Sequence, residues 1–417
     1  MSGIAAAKLA RTNGDEVVLY DRRTISDEGF EVHSGDWDPT ILDSIDQVVT
    51  SPGFPEHDGP IPGVLAAGIP LISEMEYAAA QMTIPYAAVT GTNGKTTVTS
   101  IAADMLVRSG IDAKAAGNIG TAVSDLVAEP PEALVIEASS FQLRFIDCFH
   151  PRAAAILNIA PDHLDWHRNL AEYIAAKQRI FANQTEHDLL VFDADDPGAA
   201  GAVQPARSRR VPVSGSRVPP GGSGRSHGAL RIAGHSFPDP GFDNAYTVDL
   251  IVAAELAGHL GATPHGIGEA LAAFVPGRHR RTLVGRWEGV SWVNDSKATN
   301  PHAAVASVRA YESVVLIGGG RNKGLDLAPI VAEHRVRAII GIGEAADELA
   351  AIAEPERFHG AADMETAVRI ADEVAQPGDT VLLAPGCASF DMFTSYGERG
   401  EVFTQLVLER KGERHGN

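Results

Sequence analysis

A chain of 417 residues is too long for one ordinary hydrophobic core and predicts two to three domains. Hydrophobic residues at 44% and charged residues at 21% are the proportions of a globular protein with buried sheets rather than of a disordered or fibrous one. A formal net charge of −20, with no basic block longer than Arg207-Ser208-Arg209-Arg210, argues against a nucleic-acid surface but leaves room for a local basic pocket facing a small anion.

In chain order, residues 1–14 carry Lys8 and Arg11 within an apolar run too short for a secretory signal, and no later stretch reaches transmembrane length. Cys148 and Cys387 are far apart and lack metal-type spacing. A reduced, cytoplasmic protein without a membrane partner is expected. Short runs of Val, Ile and Leu, each ending in Gly, Pro or Ser, then recur at 16–21, 47–53, 86–95, 133–140, 153–163 and 188–196, and again at 313–320, 337–344 and 380–386. Helical patterns separate them, so the class is α/β, built of βαβ units around parallel sheets whose carboxyl edges receive ligands. Residues 201–241, dense in Pro, Gly, Ser and Arg, read as a surface excursion within a domain or as an interdomain linker. Boundaries near 78 and 276 divide the chain into domains 1–78, 79–275 and 276–417.

Residues 91–97, Gly-Thr-Asn-Gly-Lys-Thr-Thr, follow a strand and open a helix. Val89 stands where the first Gly of the usual phosphate-loop pattern would be, yet the shorter loop is chemically competent. Gly91 and Gly94 free the backbone to aim N–H groups at an anion, Lys95 supplies a cation, and a Thr hydroxyl can reach Mg²⁺. Glu137 ends a buried strand; it either meets a metal shared with that loop or belongs to a capping cluster in which Ser139 or Ser140 opens the next helix. Asp162, His163, Asp165 and His167 gather at another strand end. The i, i+4 histidines do not make a zincin site, because Leu164 occupies the place of the required Glu.

Lys177 falls in the middle of the apolar face formed by Leu170, Tyr173, Ile174, Ile180 and Phe181. It either snorkels to the rim or lies buried, and a buried amine with a lowered pKa is open to chemical modification. Residues 294–302 bring Asp295, Lys297, Thr299 and Asn300 into one turn after a strand, charges of both signs suited to a zwitterion or a transferring phosphoryl group. His279 and Arg280 lie shortly upstream.

In their order, residues 91–97, 117–120, 137–143, 158–167, 171–181, 294–302 and 382–400 resemble the Mur ligases of peptidoglycan synthesis, in particular the branch that joins D-glutamate to UDP-N-acetylmuramoyl-L-alanine. The resemblance runs from about residue 2 to 410. It implies three domains: an N-terminal Rossmann-like domain holding UDP, a central phosphate-loop ATPase-like domain with a parallel sheet, and a C-terminal Rossmann-like domain receiving the amino acid. ATP and two Mg²⁺ are the implied cofactors, and a monomer the implied state.

Carried over residue by residue, Gly91, Thr92, Asn93, Gly94, Lys95, Thr96, Thr97, Asp249, Arg280, Asp295 and Lys297 would bind ATP, with His279 beside them. Thr96, Thr97, Glu137, His163 and Lys177 would hold magnesium, Lys177 as a carbamate. Lys95, His163 and Lys177 would be the catalytic residues. Ser2, Asp21, Arg23, Ser51, Pro52, Gly53, Asn118, Ser139 and Gln142 would face the UDP substrate, and Thr299, Lys323, Ser389 and Tyr396 would grip D-glutamate. Tyr396 replaces a Phe common there, and Arg399 follows in the same segment.

Three departures accompany the resemblance. The chain starts inside the Gly-rich turn that normally follows the first strand, so an N-terminal domain lacking that strand is expected. Ala245, Tyr246 and Asp249 stand in place of a His-Asn-x-x-Asn segment on the adenine side. Residues 318–324 are richer in cations than the pattern. Alternatives are a ligase of the same superfamily with another amino acid, a nucleotide-hydrolysing regulator, or an inactive paralogue.

Overall fold

Four short strands open the computed structural model, which describes residues 2–25 and 28–415. β1 (Val18–Asp21) pairs in parallel with β2 (Glu31–Ser34), and β3 (Val48–Thr50) with β4 (Leu71–Ser73). The helix Ser2–Asn13 precedes them and places Leu9 in a core with Met75 and Ala78.

The chain divides into two compact units, residues 1–159 with 166–274, and residues 160–165 with 275–417. The first unit is organised by a nine-stranded sheet of β5 (Tyr86–Thr90), β6 (Ala113–Gly117), β7 (Ala133–Glu137), β8 (Ala153–Ile156), β9 (Leu189–Asp193), β10 (Arg209–Ser214), β11 (Ser223–Ser226), β12 (Ala229–Ile232) and β13 (His235–Pro238). Their order is β13-β12-β11-β10-β9-β8-β5-β7-β6. From β6 to β11 all neighbours are parallel; the last two pairings are antiparallel.

β5, β7 and β8 are buried at every residue, as a parallel sheet covered on both faces requires. Alternate residues go to opposite faces: Ala87, Val89, Val135 and Ala155 to one core, Ala88, Leu134, Ile136 and Ile156 to the other. The first core is closed by the helices Lys95–Arg108 and Asn244–His259, the latter started by Asp243, whose carboxylate accepts the Ala245 and Tyr246 amides. Fully burying one such aliphatic side chain stabilises by roughly 1.5–3 kcal/mol.

The stretch 201–241 is an excursion within the first unit rather than an interdomain linker. β10 continues the parallel sheet and β11–β13 add an antiparallel edge, pinned where the Glu255 carboxylate accepts the Ser223 hydroxyl and the Ala233 amide. Its Gly and Pro residues mark the tight turns between very short strands, and composition alone did not separate these from a linker.

The second unit carries β14 (Thr282–Trp287), β15 (Val290–Asn294), β16 (Val314–Gly319), β17 (Val336–Ile342), β18 (Phe358–Gly360) and β19 (Thr380–Gly386) in the order β14-β15-β19-β16-β17-β18. Only β14 runs antiparallel to its neighbour. Val293, Leu316, Ile339 and Leu382 face one layer of helices, whereas Trp292, Val315, Ile340 and Val381 face the other, which includes Phe403 and Val407 of the helix Tyr396–His415. The α/β class expected from the sequence is the class found.

Candidate active site

In the first unit the loop 91–94 turns β5 into the helix Lys95–Arg108 at the carboxyl edge of the sheet. Gly91 and Gly94 have φ of +155° and +87°, conformations that favour glycine. A Cβ on Gly91 would stand 3.0 Å from the Leu157 side chain, and one on Gly94 would stand 2.5 Å from the Asp249 carboxylate. The loop is therefore a cradle that no larger residue would leave open. Lys95 Nζ donates to the Gly91 and Thr92 carbonyls, both at 2.9 Å, curling the cation over the loop. The amides of Thr92 and Asn93 are held by the carbonyl and side-chain oxygens of Asn158, at 2.9 and 2.8 Å. Asp249, expected from its alignment on the adenine side, lies against the phosphate loop at Gly94.

Lys177 is 1% exposed, so it does not snorkel. Its Nζ donates to the Gly91 carbonyl at 2.8 Å and sits 4.5 Å from the Tyr173 ring centre, while the Tyr173 hydroxyl lies 3.0 Å from that of Thr92. The helix Leu170–Gln178, capped by Asn169, thus aims two successive inward positions, 173 and 177, at the loop.

Of the two readings of the 137–143 segment, the capping cluster is the one the structure shows. Ser139 caps the helix Ser140–Arg144 in a capping box with Gln142, so these two side chains are committed to the cap. Glu137 takes no part in it. It is 2% exposed, one oxygen accepts the Asn118 amide at 2.8 Å, and Oε2 is buried without a hydrogen-bond partner. A buried carboxylate oxygen left without a hydrogen-bond partner at the end of the strand next to the phosphate loop is a hard oxygen donor of the kind that Mg²⁺ takes. His167 is structural. Its Nε2 lies 2.9 Å from the Ser140 hydroxyl, and its ring packs on Phe141, Trp166 and Tyr173.

The uridine-side candidates lie at the carboxyl ends of β1 and β3. The Asp21 carboxylate accepts the Arg23 amide at 2.9 Å, and Ser51, Pro52 and Gly53 form the turn after β3. Tyr20 and Phe54 meet at 5.9 Å between ring centres, joining these two ends. Ser2 opens the first helix.

In the second unit, the turn after β15 carries Asp295, Lys297 and Thr299. Asp295 is 8% exposed, accepts the Arg281 amide at 3.1 Å, and is pushed up from the usual carboxylate range by burial, against the pull of Ser307 and Arg281. The Lys297 ammonium lies 3.8 Å from the Tyr396 ring centre. Arg399, 1% exposed, ties the surrounding segments together: it donates to the Ser296 hydroxyl and carbonyl at 3.0 and 2.9 Å and to the Cys387 carbonyl at 3.1 Å. Burial lowers its pKa to about 10, which leaves it a cation at neutral pH.

Ser389 is buried. Lys323 pairs with Asp162 at 3.3 Å, and Asp162 also accepts the Asn300 amide at 3.2 Å. Burial disfavours the Asp162 charge, but His163 and Lys323 outweigh it and hold the carboxyl below its usual range. His163, with φ +55°, donates its backbone N–H to Asp162 and places Nε2 3.7 Å from Asp162 Oδ2. The extra cation in 318–324 is accounted for, since Arg321 pairs with Glu344 at 3.1 Å. Asp162, Tyr173 and Asn294 are wired to these sites without having been assigned a role from the sequence. Their signal was weak: an acid among several, a ring on an apolar face, and an Asn beside a more conspicuous Asp.

A strand-to-helix phosphate cradle in one unit and loops bearing cations in the other fit an enzyme that uses a nucleotide. Residues 89–215 match the Mur ligase middle domain and residues 279–387 the glutamate ligase domain of Mur ligases. The UDP-N-acetylmuramoylalanine–D-glutamate ligase of Frankia casuarinae is 42% identical over 99% of this chain and 93% of its own length. That of Syntrophotalea carbinolica is 36% identical over 99% and 96%. Among solved structures, a MurF ligase from Thermotoga maritima in complex with ADP shares the fold at TM-score 0.61 and 16% identity, covering 89% of this chain and 97% of its own. MurF from Acinetobacter baumannii does so at 0.63 and 16%, covering 96% and 86%. The chain belongs to the Mur ligase family of ATP-dependent amide ligases.

Proposed function

We propose that the protein joins D-glutamate to UDP-N-acetylmuramoyl-L-alanine in peptidoglycan synthesis, acting in the cytoplasm as a monomer. A carboxylate resists attack by an amine because its leaving group would be an oxide. Transfer of the γ-phosphoryl group of ATP to that carboxylate makes an acyl phosphate and releases ADP. The D-glutamate amine then attacks the carbonyl carbon, phosphate departs with the electron pair of the C–O bond, and the amine loses a proton.

The loop 91–97 orients the phosphates, with Lys95 neutralising their charge. Glu137, Thr96, Thr97 and Lys177 would hold Mg²⁺, and His163 is proposed as a ligand on the resemblance alone; the two Mg²⁺ would supply charge neutralisation at the transferring phosphoryl group. Lys177 would enter this set as a carbamate, its amine having taken up CO₂. Asp21, Arg23 and residues 51–53 would take the uridine end. His279, Arg280, Asp295 and Lys297 would face the nucleotide, and Thr299, Lys323, Ser389 and Tyr396 the amino acid. Likeness to D-glutamate ligases over 99% of the chain supports the choice of substrates. The observation that carries the chemistry is the fully buried Lys177 with its amine at the Gly91 carbonyl of the phosphate loop.

The test is phosphate release from ATP with the muramoyl-alanine nucleotide and each amino-acid enantiomer. Release that depends on both the nucleotide and D-glutamate supports the reading. Release that ignores D-glutamate, or answers equally to L-alanine or a diamino acid, ends it.

A further inference from the structure

Asn294, the last residue of β15, is 1% exposed, and its amide is fixed by neighbours of unambiguous polarity. Its Oδ1 accepts the Ser296 backbone N–H at 3.1 Å, and its Nδ2 donates to the Gly400 carbonyl at 2.7 Å. An N–H only donates and a carbonyl only accepts, so this amide cannot be turned over. The same Nδ2 lies 2.9 Å from the Thr404 hydroxyl oxygen and 3.0 Å from His279 Nδ1.

A neutral imidazole carries one proton on one of its two nitrogens. A proton on Nδ1 would point at an –NH₂ group that has nothing with which to accept it. Nδ1 therefore presents its lone pair to Asn294, and the proton belongs on Nε2. The ring is seated by a second feature. A Cβ on Gly400 would stand 2.3 Å from Nδ1, so the ring lies against the helix Tyr396–His415 only because residue 400 is glycine. The backbone of His279, at φ +58°, accepts the Lys297 amide at 3.1 Å, tying this ring to the turn that bears Lys297.

We propose that Asn294 is a positioning residue that locks His279 in its Nε2–H tautomer, making the imidazole a neutral hydrogen-bond donor to a phosphate oxygen of the nucleotide. The donor role rests on the proposed assignment of His279 to the nucleotide; the tautomer does not. The charged groups around the ring agree with neutrality. Burial and Arg278 lower the His279 pKa, outweighing the opposite pull of Glu401, itself paired to Arg278 at 3.1 Å, and of the contact with Asn294.

The experiment is nitrogen NMR of protein labelled with ¹⁵N-histidine near neutral pH, with His279 assigned by its loss in H279Q. The wild type is expected to show a pyridine-type Nδ1 and a pyrrole-type Nε2 at His279. N294D, whose carboxylate only accepts, is expected to draw the proton to Nδ1. It should also raise the KM for ATP at least about tenfold, the loss of one hydrogen bond to a charged group, while leaving the KM for the UDP substrate within about twofold. A pyrrole-type Nδ1 in the wild type overturns the proposal even if N294D does not fold, and an unchanged tautomer in folded N294D overturns it as well. An unchanged KM for ATP in H279A overturns the donor role. Failure of the wild type to release phosphate in response to D-glutamate would instead end the ligase reading, and the spectrum would still report the tautomer.

Discussion

The ammonium of Lys177 lies 2.8 Å from the carbonyl oxygen of Gly91, inside the first unit and 1% exposed. Among its neighbours are the Gly91 carbonyl, the Thr90 hydroxyl and the Tyr173 ring. The proposed carbamate would need its amine in this kind of dry place beside the phosphate loop. Lys177→Ala is expected to lower ligation at least about a hundredfold, the scale of losing a group that stabilises charge in the transition state. Bicarbonate should restore none of it, whereas a short carboxylic acid should restore part. Full activity in Lys177→Ala, read by amide formation, would remove the carbamate.

Glu137 provides an independent handle on the metal. Its Oε2 is buried and unpartnered, while the other oxygen holds Asn118. Glu137→Gln keeps the shape and the bond to Asn118 but removes the charge. Activity should fall on the order of a hundredfold and recover partly at high Mg²⁺, with a melting temperature that is unchanged or slightly raised because a costly buried charge is gone. Loss of activity with a Mg²⁺ requirement equal to that of the wild type would mean that Glu137 holds no metal.

What could be read from the sequence was whatever a local pattern determines. A buried run followed by Gly-x-x-Gly-Lys fixes a strand, a turn and a helix at once, so the loop 91–94 and the helix from Lys95 could be read directly. Lys177 stood out for the same reason, since a cation at the centre of an apolar helical face is a visible contradiction. Residues 201–241 were not legible, because very short strands at a sheet edge acquire their structure from pairing with β10 and from Glu255, neither of which leaves a local trace. Asn294 was hidden similarly. Its importance comes from Gly400 and Thr404, more than a hundred residues away, and only tertiary packing brings them together.

The contact between Lys297 and Tyr396 separates the ring from its hydroxyl. At 3.8 Å from the ring centre the ammonium meets the electron-rich face, an interaction that Phe also provides. Tyr396→Phe should therefore keep kcat/KM for D-glutamate within about twofold. Tyr396→Leu should lower it about two- to fivefold, the equivalent of one exposed cation–π contact. Equal losses in both variants would show that the hydroxyl, not the ring face, is what matters.

Asp193 supplies a pH-dependent stability term away from the phosphate loop. At the end of β9, burial, reinforced by the neighbouring charges of Asp195 and Asp196, pushes its carboxyl from 3.8 up to about 7. In the unfolded chain the group ionises near its ordinary value, so between roughly pH 4 and pH 7 the folded form binds more protons than the unfolded form. Stability contributed by this residue therefore falls as pH rises through that window and is not regained above it. Asp193→Asn keeps an acceptor for the Asp195 amide, which lies 2.9 Å from Oδ1, and removes the ionisation. Thermal melts should show the variant close to the wild type at about pH 4 and more stable at about pH 8, by roughly 2–4 °C for each kcal/mol relieved. A difference in melting temperature that is the same at both pH values would show that the Asp193 carboxyl titrates in its ordinary range in the folded protein.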